Sequence, residues 1–395
     1  MRLVHFVQTG VPTGGVERYV AALLGGDTPG IEHAVVTLAA GPCPIAGRWP
    51  SATWPWSSSR VPPPPLVRGE RSEPEIALFH GLPSAGAWHQ VEERGMATAV
   101  FCHGHDWWCP SGARYHTRRG RICTITATTA SCGLRYHVLG CGSLRPARVI
   151  EGFRRAAWGR SLLASADAVL VASAFMLADA LRHGAPAARS HLVPLPGPWG
   201  DGSSAGAADP GFDRGTLPVV LCASRLTPLK GIEELLRAFA AMRVPAQLVL
   251  AGAGNAEARL RRLAEAHPAR DRIVFAGHLE ADALRAAFAR AAIVVVPSLW
   301  PEPFGLVGIE ALAAGKPVVA SGTGGMGDWA MEGLGVLTAR PDDPAALAAA
   351  LDRALSEPGW AERARLAGAP WVAERHGMAA HVAALASALG PLLAA

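Results

Sequence analysis

The sequence lacks several features that define common classes of protein. No run of apolar residues reaches the roughly 18 that a membrane-spanning helix requires, and no signal peptide is visible, so we expect none ahead of the first predicted strand. Neither half contains the G-x-G-x-x-G fingerprint of dinucleotide-binding proteins, and motifs for RNA or DNA recognition are missing too. We therefore expect a cytoplasmic protein, free or held peripherally on the inner membrane face, that binds no nucleic acid and is not a dehydrogenase.

Charged residues are also scarce, and this leaves ample apolar material for two hydrophobic cores. Only 17% of the 395 residues are charged, whereas 50% are hydrophobic. A chain of this length predicts two domains. The formal net charge of +5 favours anionic partners such as a nucleotide sugar or an anionic lipid surface. The seven cysteines are expected to be free thiols or metal ligands, since disulfides are rare in cytosolic proteins.

Strand and helix patterns alternate along the chain, which predicts an α/β fold with open parallel sheets. The alternation restarts after a segment rich in Gly, Pro and Ser. We predict an N-terminal Rossmann-like domain over 1–197, a linker over 198–216 and a C-terminal Rossmann-like domain over 217–376. A cysteine-containing insertion interrupts the first domain at about 107–145. The last helix, within 377–395, is predicted to pack back on the N-terminal domain.

The most informative stretch runs from Ile293 to Gly325 and is typical of strand, loop, helix, strand and glycine loop. Two prolines hold Glu302 in a rigid loop at the carboxyl end of the first strand. A helix is predicted to begin near Phe304-Gly305-Leu306 and to stop at Gly315. Glu310 lies inside that helix among apolar residues, where a carboxylate needs hydrogen-bond donors. Because free amides at a helix start suit a phosphate and Glu310 suits two sugar hydroxyls, the stretch predicts a nucleotide site.

A turn that bears two cations precedes another helix in the same half of the chain. Arg225 and Lys230 lie between a predicted strand and that predicted helix. The helix macrodipole disfavours a lysine at its start unless an anion removes the conflict. Ligands of open α/β sheets bind beyond the carboxyl ends of the strands, so this turn and the Glu302 loop are expected to share one site. The two cations suit a diphosphate, and a solvated loop is the alternative.

Together these residues resemble the retaining glycosyltransferases of family 4, which have the GT-B fold of two facing Rossmann-like domains with an interdomain cleft. The matching segments occur in the family's order and span nearly the whole chain. They are Gly14-Gly15-Val16-Glu17, His105-Asp106-Trp107, Ser224-Arg225-Leu226 with Lys230-Gly231, Glu302 with Glu310 at the family's E-x7-E spacing, and Gly324-Gly325. One position departs from the family, because Asp328 stands where a glutamate is usual.

The resemblance implies a role for each matching residue. It gives catalytic roles to Arg225, Lys230, Glu302 and His105. It gives donor-binding roles to Gly14, Gly15, Phe304, Gly305, Leu306 and Glu310. In this scheme Arg225 and Lys230 neutralise the pyrophosphate. Glu302 holds hydroxyls of the transferred sugar, and Glu310 binds the ribose. The histidine lies near the donor sugar and the acceptor.

The implied reaction moves a sugar from a nucleotide-diphosphate sugar to a hydroxyl acceptor with retention of anomeric configuration. No DxD pair is evident, so no metal cofactor is expected. A UDP-sugar is the first expectation for the donor and a GDP-sugar the second. The acceptor is expected to be a polysaccharide, a lipid-linked glycan or a small natural product. The alternatives are a sugar-nucleotide epimerase of the same fold and a catalytically silent nucleotide-sugar-binding protein.

The identity of the histidine near the ligands stays open, because His103 precedes His105 by two residues. We favour His105, since Asp106 and Trp107 follow it. The role of the cysteines in the insertion stays open as well. They are Cys109, Cys123, Cys132 and Cys141. Their spacing is wider than the paired CxxC of a structural zinc site, so we expect buried free thiols, with zinc binding as the alternative.

Overall fold

The computed structural model describes residues 1–9, 15–38, 43–53, 75–197, 212 and 216–393 of the chain. The predicted linker at 198–216 therefore lies almost wholly outside the described residues, and so does Gly14. The chain divides into two compact units. Unit 1 comprises Met1–Arg118, Cys123–Pro198 and Arg375–Ala395, and unit 2 comprises Arg119–Ile122 and Trp199–Glu374.

Parallel strands form the centre of unit 1. The strands in the first half of the chain are β1 (Arg2–Val7), β2 (Glu32–Thr37), β3 (Ser51–Thr53), β4 (Glu75–Phe79), β5 (Ala97–Cys102), β6 (Tyr115–His116), β7 (Arg121–Ile122), β8 (Ala168–Val171) and β9 (Ser190–Leu192). Seven of them form a sheet in the order β3-β2-β1-β4-β5-β8-β9, in which every pairing is parallel. The strand order reverses between β1 and β4, which is where open α/β sheets place their ligands.

Helices cover the sheet of unit 1 and account for its near-continuous apolar strands. They are α1 (Gly15–Gly25), α2 (Ala85–Glu92), α3 (Thr129–Val138), α4 (Pro146–Ser165) and α5 (Ala174–Arg182). The sequence pattern does not predict α3. This helix begins at a capping box, in which the Thr128 hydroxyl accepts from the Ser131 amide while the Ser131 hydroxyl accepts from the Thr128 amide.

Unit 2 repeats the plan with six strands. They are β10 (Val219–Ala223), β11 (Gln247–Ala251), β12 (Ile273–Gly277), β13 (Ile293–Val296), β14 (Val318–Ala320) and β15 (Val336–Thr338). All pairings are parallel, and the order is β12-β11-β10-β13-β14-β15. The order reverses between β10 and β13. The structure thus confirms the predicted α/β class with two Rossmann-like domains.

Seven helices follow the strands of unit 2 or close it. They are α6 (Ile232–Ala241), α7 (Glu257–Glu265), α8 (Ala281–Arg290), α9 (Leu306–Ala313), α10 (Pro344–Ser356), α11 (Trp360–Arg363) and α12 (Ala369–His376). The predicted helix start near Phe304-Gly305-Leu306 and the stop at Gly315 agree with α9. Gly315 has φ +66°, the left-handed backbone that ends many helices at glycine.

The last helix, α13 (Met378–Leu389), belongs to unit 1. Its buried His381 hydrogen-bonds the Tyr19 hydroxyl of α1 at 3.1 Å and the Pro194 carbonyl at 2.7 Å. Among the described residues, the stretch Trp360–Leu393 is long and apolar enough to span a membrane by length and composition, and 33% of its most apolar window is buried. The expectation that no such stretch exists is therefore wrong. The extended backbone of Gly377 separates α12 from α13 within the stretch.

Candidate functional site

The predicted nucleotide site of unit 2 lies where the strand order reverses. The turn after β10 carries Arg225 and Lys230, and the loop after β13 carries Glu302. β10 and β13 are neighbours in the sheet. Their carboxyl ends consequently bring the two segments together, as the sequence analysis expected.

Close backbone packing holds the cation turn against the end of β13. The Leu299 amide donates to the Leu229 carbonyl at 2.9 Å. Gly231 ends the turn with φ +68°. A Cβ at Gly231 would lie 1.9 Å from the Pro297 carbonyl oxygen, so only glycine allows both the left-handed backbone and this approach.

Glu302 accepts three hydrogen bonds on one carboxylate oxygen. Lys230 Nζ lies 2.6 Å from its Oε1 and Trp300 Nε1 lies 2.9 Å from it, and the Ser298 hydroxyl is the third donor. Burial alone would raise the pKa of Glu302, but the charge of Lys230 and the three hydrogen bonds outweigh it and lower that pKa. Ser298 and Trp300 were not predicted as site residues, although both lie within four residues of the glutamate.

The backbone of the Glu302 loop is fixed from the far side by the glycine loop after β14. The Gly325 amide donates to the Glu302 carbonyl at 2.7 Å, and Gly324 forms an isolated bridge with Glu302. Further along, the buried Trp329 indole donates to the Phe304 carbonyl at 2.7 Å. Gly324-Gly325, singled out in the sequence, thus supports the glutamate rather than standing apart from it.

The remaining predicted residues of unit 2 differ in exposure. Glu302 is 5% exposed and Glu310, in the middle of α9, is 9% exposed. Gly305 precedes α9 with φ +84°. Arg225 is exposed, and its guanidinium has no hydrogen bond or ion pair with any described residue. Lys230 therefore meets its counter-charge inside the protein, whereas Arg225 faces solvent.

In unit 1 the structure separates the two candidate histidines. His105 is completely buried, with its Nδ1 3.8 Å from Asp179 Oδ2 and its ring against Trp108 and Phe175. His103 is partly exposed and follows the carboxyl end of β5. The structure thus places His105 in the interior and His103 just beyond the carboxyl end of β5. Gly15, the other predicted donor-binding residue of this unit, is exposed at the start of α1.

Asp179 organises the interior around His105. Its carboxylate accepts from Arg114 at 2.7 Å and from the Trp108 indole at 2.8 Å. Both Arg114 and Asp179 are 2% exposed. A buried carboxylate with these partners fixes the start of the cysteine-containing segment, so the HDWW motif has a structural explanation.

The four cysteines of the insertion surround one small cavity. They line it together with Arg114 and Tyr136, and burial, then the proximity of the other three thiols, raises the pKa of Cys141 to about 12. All seven cysteines are free. No group of three or more His, Cys, Asp or Glu side chains in the described part of the chain is arranged to hold a metal ion, so the geometry gives the zinc alternative no support.

Comparison with protein families identifies the segment that holds the Lys230–Glu302 pair. Residues 210–369 match the model of the family described as Glycosyl transferases group 1. This segment, which is similar to the group 1 glycosyl transferases, includes the cation turn, the Glu302 loop, α9 and the supporting glycine loop, so the whole cluster described above lies inside it.

Curated relatives match the chain over part of their length. An uncharacterized glycosyltransferase of Methanocaldococcus jannaschii is 38% identical over 146 residues, which are 36% of this chain and 37% of that protein. The GDP-mannose-dependent alpha-(1-6)-phosphatidylinositol monomannoside mannosyltransferase of Mycolicibacterium smegmatis is 32% identical over 169 residues, 40% of this chain and 44% of that protein. The chain thus spans less than half the length of these relatives.

Among solved structures, HepE of Anabaena in complex with UDP and glucose superposes with a TM-score of 0.72. The match covers 99% of this chain and 100% of HepE at 15% sequence identity. At that identity the likeness establishes the fold alone. The fold is GT-B, built from two Rossmann-like α/β domains.

Proposed function

We propose that the protein is a retaining glycosyltransferase that moves a sugar from a nucleotide-diphosphate sugar to a hydroxyl of an acceptor. The observation that carries this proposal is the Lys230–Glu302 pair at the point where the sheet of unit 2 reverses its strand order. A buried carboxylate and a partly exposed ammonium at that point offer hydrogen-bond acceptors to sugar hydroxyls and donors to a diphosphate.

Lys230 would bind the pyrophosphate without leaving Glu302. An ammonium has three N–H donors, and Lys230 uses one of them on Glu302 Oε1. With Arg225 exposed beside it, the turn presents two cations to a diphosphate. Stabilising negative charge on the leaving group is the largest single contribution that such a site makes to catalysis.

Glu302 would hold hydroxyls of the transferred sugar as a carboxylate. Its lowered pKa keeps it ionised at neutral pH, and a carboxylate accepts hydrogen bonds but donates none. Its three donors from the protein converge on Oε1. Glu310 would bind the ribose, and the backbone of 304–306 would contact the sugar and the phosphates.

In unit 1 we assign the role near the donor sugar and the acceptor to His103 in place of His105. His105 is completely buried beside Asp179, whereas His103 is partly exposed beyond β5. A residue that contacts a ligand must be exposed at the carboxyl ends of the sheet strands, which we call the ligand edge of the unit. Of the two histidines, only His103 is exposed there.

The donor is proposed to be a UDP-sugar first and a GDP-sugar second. HepE was solved with UDP and glucose, and the M. smegmatis relative is GDP-mannose-dependent. The acceptor is proposed to be a glycan, a lipid-linked glycan or a small molecule. With two cations at the diphosphate position, the proposed reaction needs no metal cofactor. We propose a cytoplasmic location, with peripheral membrane association as an option for a lipid-linked acceptor.

The test is a panel of UDP- and GDP-sugars, read by thermal stabilisation and by release of the nucleoside diphosphate with and without acceptors. A ligand at a hundred times its Kd adds about 2.7 kcal/mol of stability. We expect Lys230→Ala to lower turnover about 10²–10³-fold and Arg270→Ala, the loss of an exposed cation elsewhere on unit 2, to leave it unchanged. Near-normal turnover of Lys230→Ala, or a product of inverted anomeric configuration, would contradict the proposal.

A further inference from the structure

Four histidines and a threonine form one continuous hydrogen-bonded chain through unit 1. His33 Nε2 lies 3.0 Å from Thr28 Oγ1, and His33 Nδ1 lies 2.9 Å from His5 Nε2. His5 Nδ1 lies 2.9 Å from His80 Nε2, and His80 Nδ1 lies 3.0 Å from His103 Nε2. Thr28, His33, His5 and His80 are buried, and His103 is partly exposed. We call these five residues the histidine chain.

The sheet register produces the histidine chain. The four histidines lie in or just after β2, β1, β4 and β5, which are neighbours in the sheet. His33 pairs across the strands with Leu3, and His5 stands two residues beyond Leu3. His5 in turn pairs with Leu78, and His80 stands two residues beyond Leu78. Because side chains alternate between faces with a period of two, each such step keeps the next imidazole on the same face.

All rings of the histidine chain are oriented in the same direction. Every ring turns Nε2 toward Thr28 and Nδ1 toward His103. A neutral imidazole has one N–H donor and one acceptor nitrogen. Neighbouring neutral rings can therefore bond only if all four carry their proton on the same nitrogen, since any other arrangement sets two protons or two lone pairs face to face.

The rings stay neutral because they are buried. Burial lowers the pKa of His33 to about 4 and that of His103 to about 3, with smaller contributions from the Arg48 guanidinium at His33 and from the neighbouring His381 ring at His103. The pKa values of His5 and His80 are lowered well below the usual range, first by burial and then by neighbouring histidines. Only two arrangements of protons then remain, all on Nδ1 or all on Nε2.

Thr28 distinguishes the two arrangements. With protons on Nδ1, Thr28 donates its hydroxyl proton to His33 Nε2, and every interior donor is paired. With protons on Nε2, His33 donates to Thr28, and the Thr28 hydroxyl proton meets no acceptor among the described residues. Thr28 is 6% exposed, so the unpaired hydroxyl of the second arrangement bears the desolvation penalty of a buried donor.

We propose that Thr28, acting through His33, His5 and His80, holds His103 as a neutral donor whose Nδ1–H faces the ligand edge of unit 1. That nitrogen has no hydrogen-bond partner within the described ranges, and the carboxyl end of β5 lies one strand from β4, where the strand order reverses. Thr28 and the three interior histidines are thus positioning residues.

A neutral N–H donor suits the oxygen of an uncharged group, which in a glycosyltransferase is a sugar hydroxyl of the donor or the acceptor. This step rests on the proposed function. A diphosphate would instead favour a charged imidazolium, and the burial of the histidine chain opposes that charge. The histidine chain therefore gives unit 1 a position suited to a hydroxyl and not to a phosphate.

The test of the proton arrangement uses the ligand-free protein labelled with nitrogen-15 in histidine. Nitrogen–proton correlation spectra separate ring nitrogens that carry a proton from those that do not. We expect Nδ1 to be protonated and Nε2 unprotonated in all four histidines of the wild type and of Thr28→Ser, which keeps the hydroxyl. Thr28→Val removes the hydroxyl and should abolish this uniform pattern. A wild type with protonated Nε2, or a Thr28→Val protein with the wild-type pattern, would overturn the proposal.

Kinetics test the hydroxyl-binding role. Loss of one neutral hydrogen bond to the sugar should raise KM for one sugar substrate of Thr28→Val by roughly two- to tenfold, with a smaller change in kcat, and Thr28→Ser should restore it. An altered proton pattern with unchanged KM for both donor and acceptor would refute the role of His103 while leaving transfer itself intact. If no nucleotide sugar is used by the wild type, the proposed function fails, and the spectra still decide the proton arrangement.

Discussion

The buried imidazoles of unit 1 predict that this unit loses stability in acid. Burial is the first cause of a lowered pKa in each of six histidines, and it brings the pKa of His33 and of His381 to about 4. His103 follows at about 3, and His5, His80 and His183 are shifted in the same direction. In the unfolded chain a histidine has its ordinary pKa of about 6.5. Below that pH the unfolded state therefore binds more protons than the folded state.

The sign and size of the effect follow from this difference. Stability contributed by these groups is complete above about pH 6.5 and falls as the pH drops toward the folded pKa values. One pH unit is worth about 1.4 kcal/mol per group, so His33 and His381 together cost about 4 kcal/mol at about pH 5. His103 is partly exposed and adds less, and the two deeper histidines add in the same direction. The raised pKa values of Glu75 and Asp106, due first to burial, oppose the loss, but these are two carboxyl groups against six histidines.

A loss of this size is a large fraction of the 5–15 kcal/mol that stabilises a typical protein. The assay is urea unfolding at about pH 7.5 and at about pH 5, monitored by hydrogen exchange and mass spectrometry. The exchange is corrected for the intrinsic rates at each pH. Peptides from β1, β2 and β4 report on unit 1, and peptides from β10 and β11 supply the internal reference. We expect the urea midpoint of unit 1 to fall much further than that of unit 2.

Two variants sharpen the measurement. His33→Gln removes one titrating group and should reduce the pH dependence of unit 1 by about 2 kcal/mol between those pH values. His89→Gln changes an exposed histidine whose side chain is 65% accessible, and it should leave the dependence unchanged. Equal losses in both units on acidification would refute the reasoning.

Three further predictions concern unit 2. Ser298→Ala removes one of the three donors to Glu302, so the pKa of Glu302 should rise and turnover should fall about tenfold, as read from the acid limb of a pH–rate profile with Ser321→Ala as control. Gly231→Ala sets a Cβ 1.9 Å from the Pro297 carbonyl oxygen at φ +68°, whereas Gly277→Ala has the same φ and open space around the Cβ. Backbone strain should lower the free energy of unfolding of both variants by about 1 kcal/mol. The added clash should lower the Tm of Gly231→Ala clearly further than that of Gly277→Ala. Dialysis against a chelator should leave turnover unchanged, and a loss restored only by a divalent cation would refute metal independence.

Much of the fold was predictable because buried parallel strands have distinctive sequences. The sequence predicts strands at Arg2–Val7, Val219–Ala223, Gln247–Ala251 and Ile293–Val296, and these bounds coincide with the observed β1, β10, β11 and β13. Each is a short apolar run bounded by turn or loop residues. The elements that escaped prediction lack this signal. β3 is only three residues long, and α3 lies in a segment of cysteines and polar residues where the capping box at Thr128 is the main indication of a helix.

The candidate site was predictable in its residues and less so in their contacts. Lys230 and Glu302 were expected to meet around a ligand, and in the structure they bond each other directly at 2.6 Å. That contact depends on β10 and β13 being neighbours, which is a property of sheet order and not of local sequence. The preference for His105 had a local basis in the HDWW motif, but the burial of His105 beside Asp179, a residue distant in the sequence, could not be read from that motif.

The histidine chain could not be predicted from local sequence either, because it too depends on the order of the strands in the sheet. Its successive members lie 5, 28, 75 and 23 residues apart along the chain, so no periodicity links them. They meet only because β2, β1, β4 and β5 are adjacent and because each step advances two residues in register. A one-residue slip of β4 would turn His80 to the opposite face of the sheet and cut the chain between Thr28 and His103. The register that packs the core of unit 1 therefore also fixes the path by which Thr28 controls the exposed nitrogen of His103.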